Sequence, residues 1–126
     1  MNLNNMSNIV VSPHKLSTLT GMHILKSGGN AIDAAIATNI VQGAVAPETC
    51  GIGGDLFTLI WMNGETKPYC LDSSGYAGSN VDISSLSSYS DIPLDHPMSV
   101  TVPGAVRGWF AMHERFGKLE ISQLFN

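Results

Sequence analysis

The segment from Ala31 to Val45 places the strongest constraint on the fold, because it is apolar on nearly all sides. After its first turn the polar exceptions are Thr38, Asn39 and Gln42. A membrane span requires about 20 consecutive apolar residues, and this segment is shorter than that. A helix that is hydrophobic all round is surrounded by other protein. The sequence therefore predicts a buried core helix, whose alanines let neighbouring backbones approach closely.

A shorter amphipathic helix is expected before the core helix, over about residues 13–27. Ser12 followed by Pro13 is typical of a helix N-terminus. Apolar residues then recur every three positions, which predicts one buried stripe along the helix. The members of this stripe are Leu16, Leu19, Met22 and Leu25. Upstream, the branched residues 9–11 predict a short buried strand, and residues 1–8 are expected to be disordered.

The two helices are joined by the pair Gly28-Gly29. Asn30, with Asp33 three positions later, has the spacing of a helix N-terminal cap. A helix-turn-helix order also occurs in DNA-binding proteins, whose recognition helix presents Arg, Lys, Asn or Gln to base edges. The second helix here presents mostly Ala, Ile and Val. Two packed core helices are therefore the favoured interpretation.

A glycine cluster follows the core helix, in the sequence PETCGIGGDLF from Pro47 to Phe57. Three glycines in four positions predict backbone conformations or close approaches that a Cβ atom would prevent. A bound anion, a substrate or another part of the protein could make that approach. A phosphate loop would need a Lys and a Ser or Thr after the last glycine, and a following helix. Here Asp55 and a strand follow, so nucleotide binding is disfavoured.

A β-hairpin is expected after the glycines. Residues 56–62 are almost continuously apolar, which is typical of a strand covered on both faces. Asn63-Gly64 predicts the turn, and residues 67–72 the returning strand. Residues 99–102 predict another short strand. These elements, together with the helices, indicate an α/β (α+β) fold.

The remaining third of the chain is predicted to be a long loop and a last helix. Residues 73–99 are rich in Ser, Asp and Pro, with room for a short helix at 81–89. Pro103-Gly104 begins a helix that Gly117 ends. Its predicted apolar side consists of Val106, Trp109, Phe110, His113 and Phe116. Residues 119–126 begin a further amphipathic element, from which we expect the 126 residues to be the front part of a longer protein.

The composition limits the possible partners. Charged residues make up 13% of the chain, against about 25% in an average protein, and hydrophobic residues make up 44%. Such a surface is expected to be covered partly by more protein. The net charge of −4, with six scattered Lys and Arg, offers no basic patch for nucleic acid or an anionic membrane. Without a signal peptide or transmembrane segment, a cytoplasmic location is expected.

The residue types that carry chemistry show no recognisable motif. Cys50 and Cys70 are too few for a disulfide framework and lack metal-ligand spacing, so free thiols, no metal and no cofactor are expected. Cys50, beside the glycines, has no base placed near it by the sequence. No nucleophile elbow surrounds a serine. The four histidines, at positions 14, 23, 96 and 113, are expected to be helix-surface or loop residues.

Several motifs, in this order, resemble the N-terminal part of the large subunit of the gamma-glutamyltransferase (gamma-glutamyltranspeptidase) family, including its gamma-glutamyltransferase-like branch. They are SGGNAIDAAIAT from Ser27, the passage from Pro47 through GIGG to LFTLI, LDS after the hairpin, and VPGAVRGW from Val102 followed by RFGKL. The resemblance implies an N-terminal-nucleophile (Ntn) hydrolase fold, an αββα sandwich, of which residues 1–126 would hold only a part.

The resemblance also implies a mechanism. In that family a precursor cleaves itself to expose a threonine that attacks a gamma-glutamyl amide, with the new α-amino group, or water held by it, as base. That threonine lies downstream of the matching region, and neither Thr49 nor Thr101 replaces it, so no catalytic residue is predicted in this chain. The implied partners are the rest of the large subunit and the small subunit, with a gamma-glutamyl or related amide as substrate.

Two other hypotheses stay open. The chain could be an inactive truncated product with a structural or complementing role, since it has no nucleophile of its own. It could also be a small-ligand binding module built on the turn at Gly51 to Gly54.

One substrate-binding position follows from the resemblance. Family members that use glutathione have the pattern D-x-R-E-x-A-P after this strand, and the arginine binds the substrate α-carboxylate. Here Ser74 stands at the arginine position and Gly75 at the glutamate, directly after Asp72 and Ser73. A serine cannot replace a bidentate guanidinium, and losing such a contact costs on the order of 2–3 kcal/mol. Ser73 and Ser74 are therefore candidate pocket residues of an enzyme that uses glutathione poorly or takes another substrate.

Overall fold

The computed structural model describes residues 8–125, so the disorder predicted for residues 1–8 falls, except for Asn8, outside the described residues. Its α-helices and strands are α1 (Lys15–Lys26), α2 (Ala31–Val45), β1 (Leu56–Ile60), β2 (Tyr69–Ser73) and α3 (Ala105–Phe116). The chain divides into two compact units. We call them the helical unit, Met1–Gly51 with Arg107–Asn126, and the hairpin unit, Ile52–Val106.

Helix α1 begins two residues later than the Ser-Pro pair predicts. Its N-cap is His14, whose Nδ1 accepts a hydrogen bond from the backbone N–H of Leu16 at 3.2 Å. The Ser12 hydroxyl instead donates to the carbonyl of His14 at 3.0 Å. A histidine ring nitrogen can accept from the first turn as a serine oxygen does, and the sequence pattern did not reveal that choice.

The buried face of α1 differs from the predicted leucine stripe, which is wrong. Leu16 and Leu19 are 52% and 53% exposed. The buried positions are Ser17, Gly21 and Ile24. A Cβ atom at Gly21 would overlap the Thr38 side chain of α2, and the Ser17 hydroxyl donates to Gln42 Oε1 at 2.8 Å. At Ser17 and Gly21 the two helices approach so closely that small residues form the contact.

Helix α2 and its cap confirm the sequence prediction. Gly28, with φ of +94°, lies in the turn after α1, where the left-handed conformation favours glycine. Asn30 Oδ1 accepts hydrogen bonds from the backbone N–H groups of Ile32 and Asp33 at 2.9 and 3.0 Å. The Asp33 carboxylate accepts in return from the N–H of Asn30 at 2.9 Å. This reciprocal pair is a capping box, and it fixes the start of the helix locally.

Asn30 and Asp33 also hold the chain that follows α3. Asn30 Nδ2 donates to the carbonyl of Phe116 at 2.6 Å. The Asp33 carboxylate accepts from the N–H of Lys118, at 3.1 and 3.3 Å to its two oxygens, and from the N–H of Leu119 at 3.3 Å. The Asp33 side chain is fully buried. A buried carboxylate requires such donors, so these two residues of the GGNAID sequence join segments more than 80 residues apart.

Helix α3 has the predicted extent, but its buried side is shifted. Trp109 and Met112 are buried, whereas Phe110 is 49% exposed. Trp109 Nε1 donates to Asn39 Oδ1 of α2 at 2.8 Å. Phe110 stacks on Phe125, with 6.5 Å between ring centroids. Leu124, in the short 3-10 helix Ile121–Leu124, is buried.

Strands β1 and β2 form an antiparallel hairpin, as predicted, with Leu56 opposite Ser73 and Leu59 opposite Cys70. The return strand begins at Tyr69, two residues late, because Pro68 lacks the N–H that a ladder needs. The expectation that β1 is covered on both faces is wrong for the described residues. Leu59 is 76% exposed, while Ile60 is buried.

Two predicted strands do not form. Residues 9–11 are irregular, and Ile9 and Val11 are exposed rather than buried. Residues 99–102 overlap the end of a 3-10 helix, Pro97–Ser99. Their one backbone bond to a distant segment runs from the N–H of Val102 to the carbonyl of Tyr76 at 2.9 Å. β-Branched residues favour an extended backbone, but a strand also needs a ladder partner. Within 81–89 a 3-10 helix covers Ile83–Leu86.

We predict that Asp33→Ala lowers the free energy of unfolding by roughly 3 kcal/mol, because buried N–H groups lose a charged acceptor. Chemical denaturation followed by far-UV circular dichroism measures this loss. Amide hydrogen exchange at Lys118 and Leu119 should accelerate in the same variant. The control is Asp91→Ala, at an exposed loop carboxylate, with an expected change below about 0.5 kcal/mol. Equal stability of the two variants would contradict the role given to Asp33.

Candidate functional site

The candidate residues Ser73 and Ser74 lie where three segments of the hairpin unit meet. The segments are residues 53–55 before β1, residues 73–76 at the end of β2, and residues 102–105 at the start of α3. The carbonyl of Gly54 accepts hydrogen bonds from the N–H of Gly104 at 3.0 Å and of Ala105 at 2.9 Å. We call this meeting point the junction and define it by Gly54, Ser73, Gly75 and Gly104. The Gly54 carbonyl thus accepts hydrogen bonds from N–H groups at the start of α3, the role that a capping side chain has in other helices.

The junction is packed too tightly for side chains at its glycines. A Cβ atom at Gly104 would overlap the carbonyl oxygen of Ser73, and one at Gly75 would overlap that of Val102. Contacts of this kind therefore occur at glycines outside the predicted cluster. The cluster is approached as well: a Cβ atom at Gly43 would lie 3.3 Å from the Cα of Gly51. In the sequence, the Pro103-Gly104 pair before α3 is only a weak indication of the close packing at the junction.

The glycine cluster itself does not have the predicted special backbone. Among the described residues the glycines with left-handed φ are Gly28 and Gly64, so the expected forbidden conformations at Gly51 to Gly54 are wrong. A Cβ atom at Gly51 or Gly53 would meet no described atom within 4 Å. The contribution of the cluster to the junction is the carbonyl of Gly54, which accepts the hydrogen bonds from Gly104 and Ala105. The space that a side chain at Gly51 or Gly53 would enter is open.

Ser73 and Ser74 have different environments. Ser73 is 9% exposed, and its hydroxyl donates to the carbonyl of Gly104 at 2.8 Å. Ser74 is exposed, and its N–H donates to Asp72 Oδ1 at 2.9 Å. The backbone N–H of Ser74, and then its side chain, hold the pKa of the Asp72 carboxyl below its usual value. Ser73 is thus engaged in the fold, while Ser74 faces an ionised carboxylate.

Asp55 is a site residue that sequence reasoning missed. Its Oδ1 accepts a hydrogen bond from the N–H of Gly75 at 3.0 Å, so it fixes the turn that carries Ser74. From the sequence alone, Asp55 indicated only that phosphate binding after the glycine cluster is disfavoured. Its partner lies 20 residues away, and no local pattern indicates a contact of that range.

Carboxylates outnumber cations in the hairpin unit. Lys67 is the only lysine or arginine of residues 52–106. The same residues contain six carboxylates, at positions 55, 65, 72, 82, 91 and 95. The arrangement can donate and accept hydrogen bonds, and at position 74 it offers a serine hydroxyl where the family's glutathione-using members have a guanidinium.

The other candidates from the sequence have structural roles or no partner of catalytic type. His14 and His96 each accept a backbone hydrogen bond through Nδ1, from Leu16 and from Met98. His113 Nε2 lies 2.7 Å from the carbonyl of Leu119. Cys50 and Cys70 are free thiols. Within residues 8–125 no cluster of three or more metal-ligating side chains occurs, and no helix there is long and apolar enough to cross a membrane.

Comparison with known proteins gives a consistent result. The family model described as gamma-glutamyltranspeptidase matches residues 17–126. The "Glutathione hydrolase-like YwrD proenzyme" of Bacillus subtilis (strain 168) is 37% identical over 117 residues, which are 92% of this chain and 22% of the relative. The "Oxamate amidohydrolase proenzyme" of Klebsiella pneumoniae is 37% identical over 102 residues, 80% of this chain and 19% of the relative.

A solved structure supports the fold. Gamma-glutamyltranspeptidase from Pseudomonas nitroreducens superimposes with a TM-score of 0.84 at 33% identity, covering 94% of this chain and 36% of that chain. This likeness confirms the predicted Ntn-hydrolase fold, of which the present residues form a part. The chain spans about a fifth of the length of the curated relatives it matches. By its motifs, its fold and these matches, the chain belongs to the gamma-glutamyltranspeptidase family, in the large-subunit region.

Proposed function

We propose that the chain is the part of a large subunit that helps to bind the acyl donor in an amide hydrolase or acyl transferase. The observation that carries the proposal is the family match over residues 17–126. The contacts of Asn30, Asp33 and the junction support it, because residues of the matching motifs make them. The partners in this proposal are the rest of the large subunit and the small subunit, and the substrates are gamma-glutamyl or related acyl amides.

The nucleophile is proposed to lie on polypeptide outside these residues. In the proposed mechanism a threonine at a newly cleaved N-terminus attacks the amide carbon, and its own α-amino group takes the hydroxyl proton. The environment of the buried serine at the junction supports this division of roles. The Ser73 hydroxyl donates to a backbone carbonyl, which is no general base, so it lacks the partner that an activated nucleophile needs.

The acyl donor is proposed to be one that needs no arginine to bind an α-carboxylate. Ser74 stands at the family's arginine position. Asp72 beside it is an exposed carboxylate, which is ionised at neutral pH, and hydrogen bonds from Ser74 lower its pKa further. A substrate carboxylate placed there would meet the like charge of Asp72, and Ser74 in place of the family's arginine. Amides recognised through hydrogen bonds fit this position better. Two relatives whose names refer to glutathione and to oxamate indicate that the acyl donor varies among similar proteins.

One prediction of the proposed function concerns the catalytic activity of the chain by itself. Purified alone, it should release no nitroaniline from a gamma-glutamyl nitroanilide. A chimera in which this chain replaces the aligned 117 residues of the Bacillus relative should cleave an acyl nitroanilide after self-processing. Turnover by the chain alone would contradict the placement of the nucleophile. A folded, processed chimera that is inactive on every acyl amide tested would favour the inactive, structural alternative.

The second prediction concerns the donor. In the chimera, Ser74→Arg should raise kcat/KM for glutathione by on the order of tenfold or more, mostly through KM, because it supplies a charge-assisted contact. Ser74→Gln, which is long and polar but neutral, is the matched control and should give less than about a twofold change. An equal gain from both substitutions would show that the positive charge is not what the position lacks.

The third prediction concerns the acid beside the site. Ser74→Ala should raise the pKa of Asp72 toward its usual value, because the side-chain hydrogen bond is lost while the backbone one remains. A pH titration of the side-chain carboxyl signals by NMR measures this shift. Since the folded pKa is lowered, the stability that these bonds contribute is present above the unfolded pKa and is lost as pH falls through the folded pKa.

Asp82 is the internal control for this titration. Its pKa is lowered by the side chain and then the backbone N–H of Ser84, and it should not respond to Ser74→Ala. If Asp72 kept its low pKa in the variant, the Ser74 hydroxyl would have no part in holding that carboxylate.

A further inference from the structure

A side chain, rather than the backbone, holds the chain where it leaves β2. The β1–β2 ladder ends at Ser73, opposite Leu56. Two residues further along the same register, Gly54 would stand opposite Gly75. The Gly54 carbonyl already accepts two N–H groups at the start of α3, which is as many as its lone pairs allow. The Asp55 carboxylate accepts the N–H of Gly75 instead, at 3.0 Å from its Oδ1.

Two carboxylates hold the turn that follows β2. The N–H of Ser74 donates to Asp72 Oδ1 at 2.9 Å, and the N–H of Gly75 donates to Asp55. These N–H groups are therefore not free to bind a substrate, and the side chain of residue 74 is left for that role. On its other side the turn is confined, because a Cβ atom at Gly75 would overlap the carbonyl oxygen of Val102. The direction of the side chain at position 74 depends on how this turn is held.

The contact of Asp55 is confined to this turn. Among the described residues, Gly75 is the one hydrogen-bond partner of its side chain. The start of α3 is held independently by the Gly54 carbonyl, and the end of β2 by the bond from the Ser73 hydroxyl to Gly104. Asp55 is also exposed, and a hydrogen bond that competes with water contributes little to folding. Its contact therefore affects the geometry of the turn more than the stability of the fold.

We propose that Asp55 is a positioning residue for acyl-donor specificity, because it holds the N–H of Gly75 and thereby sets where the side chain at position 74 meets the donor. This inference rests on the proposed function, in which position 74 belongs to the donor site. Asp55 acts through the turn and needs no contact with the donor. A displacement of about 1 Å at a substrate-binding group can cost on the order of a hundredfold in rate, so one such contact is enough to alter specificity.

The test compares Asp55→Ala with Asp55→Asn in the 126-residue chain. Both substitutions remove the charge, but asparagine keeps an oxygen that can accept from Gly75. In Asp55→Ala we expect exchange of the Gly75 amide hydrogen to accelerate by about tenfold or more. In Asp55→Asn the exchange rate should change by less than about twofold. Equal exchange in the two variants would overturn the inference.

The Asp72 carboxyl reports on position 74 without any need for activity. The backbone N–H of Ser74, and then its side chain, lower the pKa of that carboxyl. These bonds weaken if the turn loosens, so the pKa of Asp72 should be higher in Asp55→Ala than in Asp55→Asn, as measured by NMR titration. The pKa of Asp82, which Ser84 lowers, should be the same in both variants. If the pKa of Asp72 is also the same in both, the inference is wrong.

In the chimera the expected effect is on KM. Ser74→Arg should improve the use of glutathione, and Asp55→Ala added to it should raise KM for glutathione by about tenfold while kcat stays within about threefold. Asp55→Asn added to Ser74→Arg should keep the gain within about twofold. Loss of the gain in both double variants would mean that the charge of Asp55, and not its hydrogen bond, is required, which contradicts the inference. A fall in kcat with unchanged KM would contradict it too.

The chimera also separates this inference from the proposed function. A folded, processed chimera without turnover on any acyl amide would refute the function, and the positioning role with it. An active chimera whose KM for glutathione does not respond to Asp55→Ala would refute the positioning role and leave the function standing. If the chimera does not fold, the titration of Asp72 in the two variants of the 126-residue chain decides the inference.

Discussion

The buried carboxylate of Asp33 is the interaction on which the helical unit depends. It accepts the N–H of Asn30 at the start of α2 and the N–H groups of Lys118 and Leu119 after α3. Burying a charge is costly unless hydrogen bonds replace water, and here backbone donors from two distant segments do so. The Asp33 carboxylate therefore fixes both the start of α2 and the chain that follows α3. These contacts give the GGNAID motif a structural role.

The junction of the hairpin unit follows the same principle with a neutral acceptor. The carbonyl of Gly54 takes the N–H groups that begin α3, and Ser73 binds the carbonyl of Gly104. Glycines at 75 and 104 allow the backbones to touch. The carbonyl of Gly54 and the hydroxyl of Ser73 are therefore engaged in hydrogen bonds that hold the fold together. What is left facing solvent is Ser74 with its ionised neighbour Asp72, and the proposed choice of acyl donor rests on that pair.

The low charge content has its counterpart in the exposed apolar side chains of both units. Leu16 and Leu19 of α1, Leu59 of β1 and the alternate residues of the segment at 9–11 are all exposed. Leu16 and Leu19 belong to the predicted apolar stripe of α1, and the others belong to strands that the sequence pattern predicted to be buried. Exposed apolar surface of this extent is typical of a face that other protein covers.

Local sequence determined the features whose interactions span a few residues. The bounds of α2, its capping box, the glycine turn before it and the β1–β2 hairpin were predictable, because each depends on neighbours within one turn or one hairpin. The family was also recognisable from ordered motifs. The role of Ser73 and Ser74 in a substrate pocket stays a prediction. Tertiary structure alone decided which face of α1 is buried, that Asp55 binds Gly75, and that residues 9–11 and 99–102 are not strands. The physical reason is that backbone donors, close glycine contacts and strand edges all need a partner distant in the chain, and a single sequence gives propensity without naming that partner.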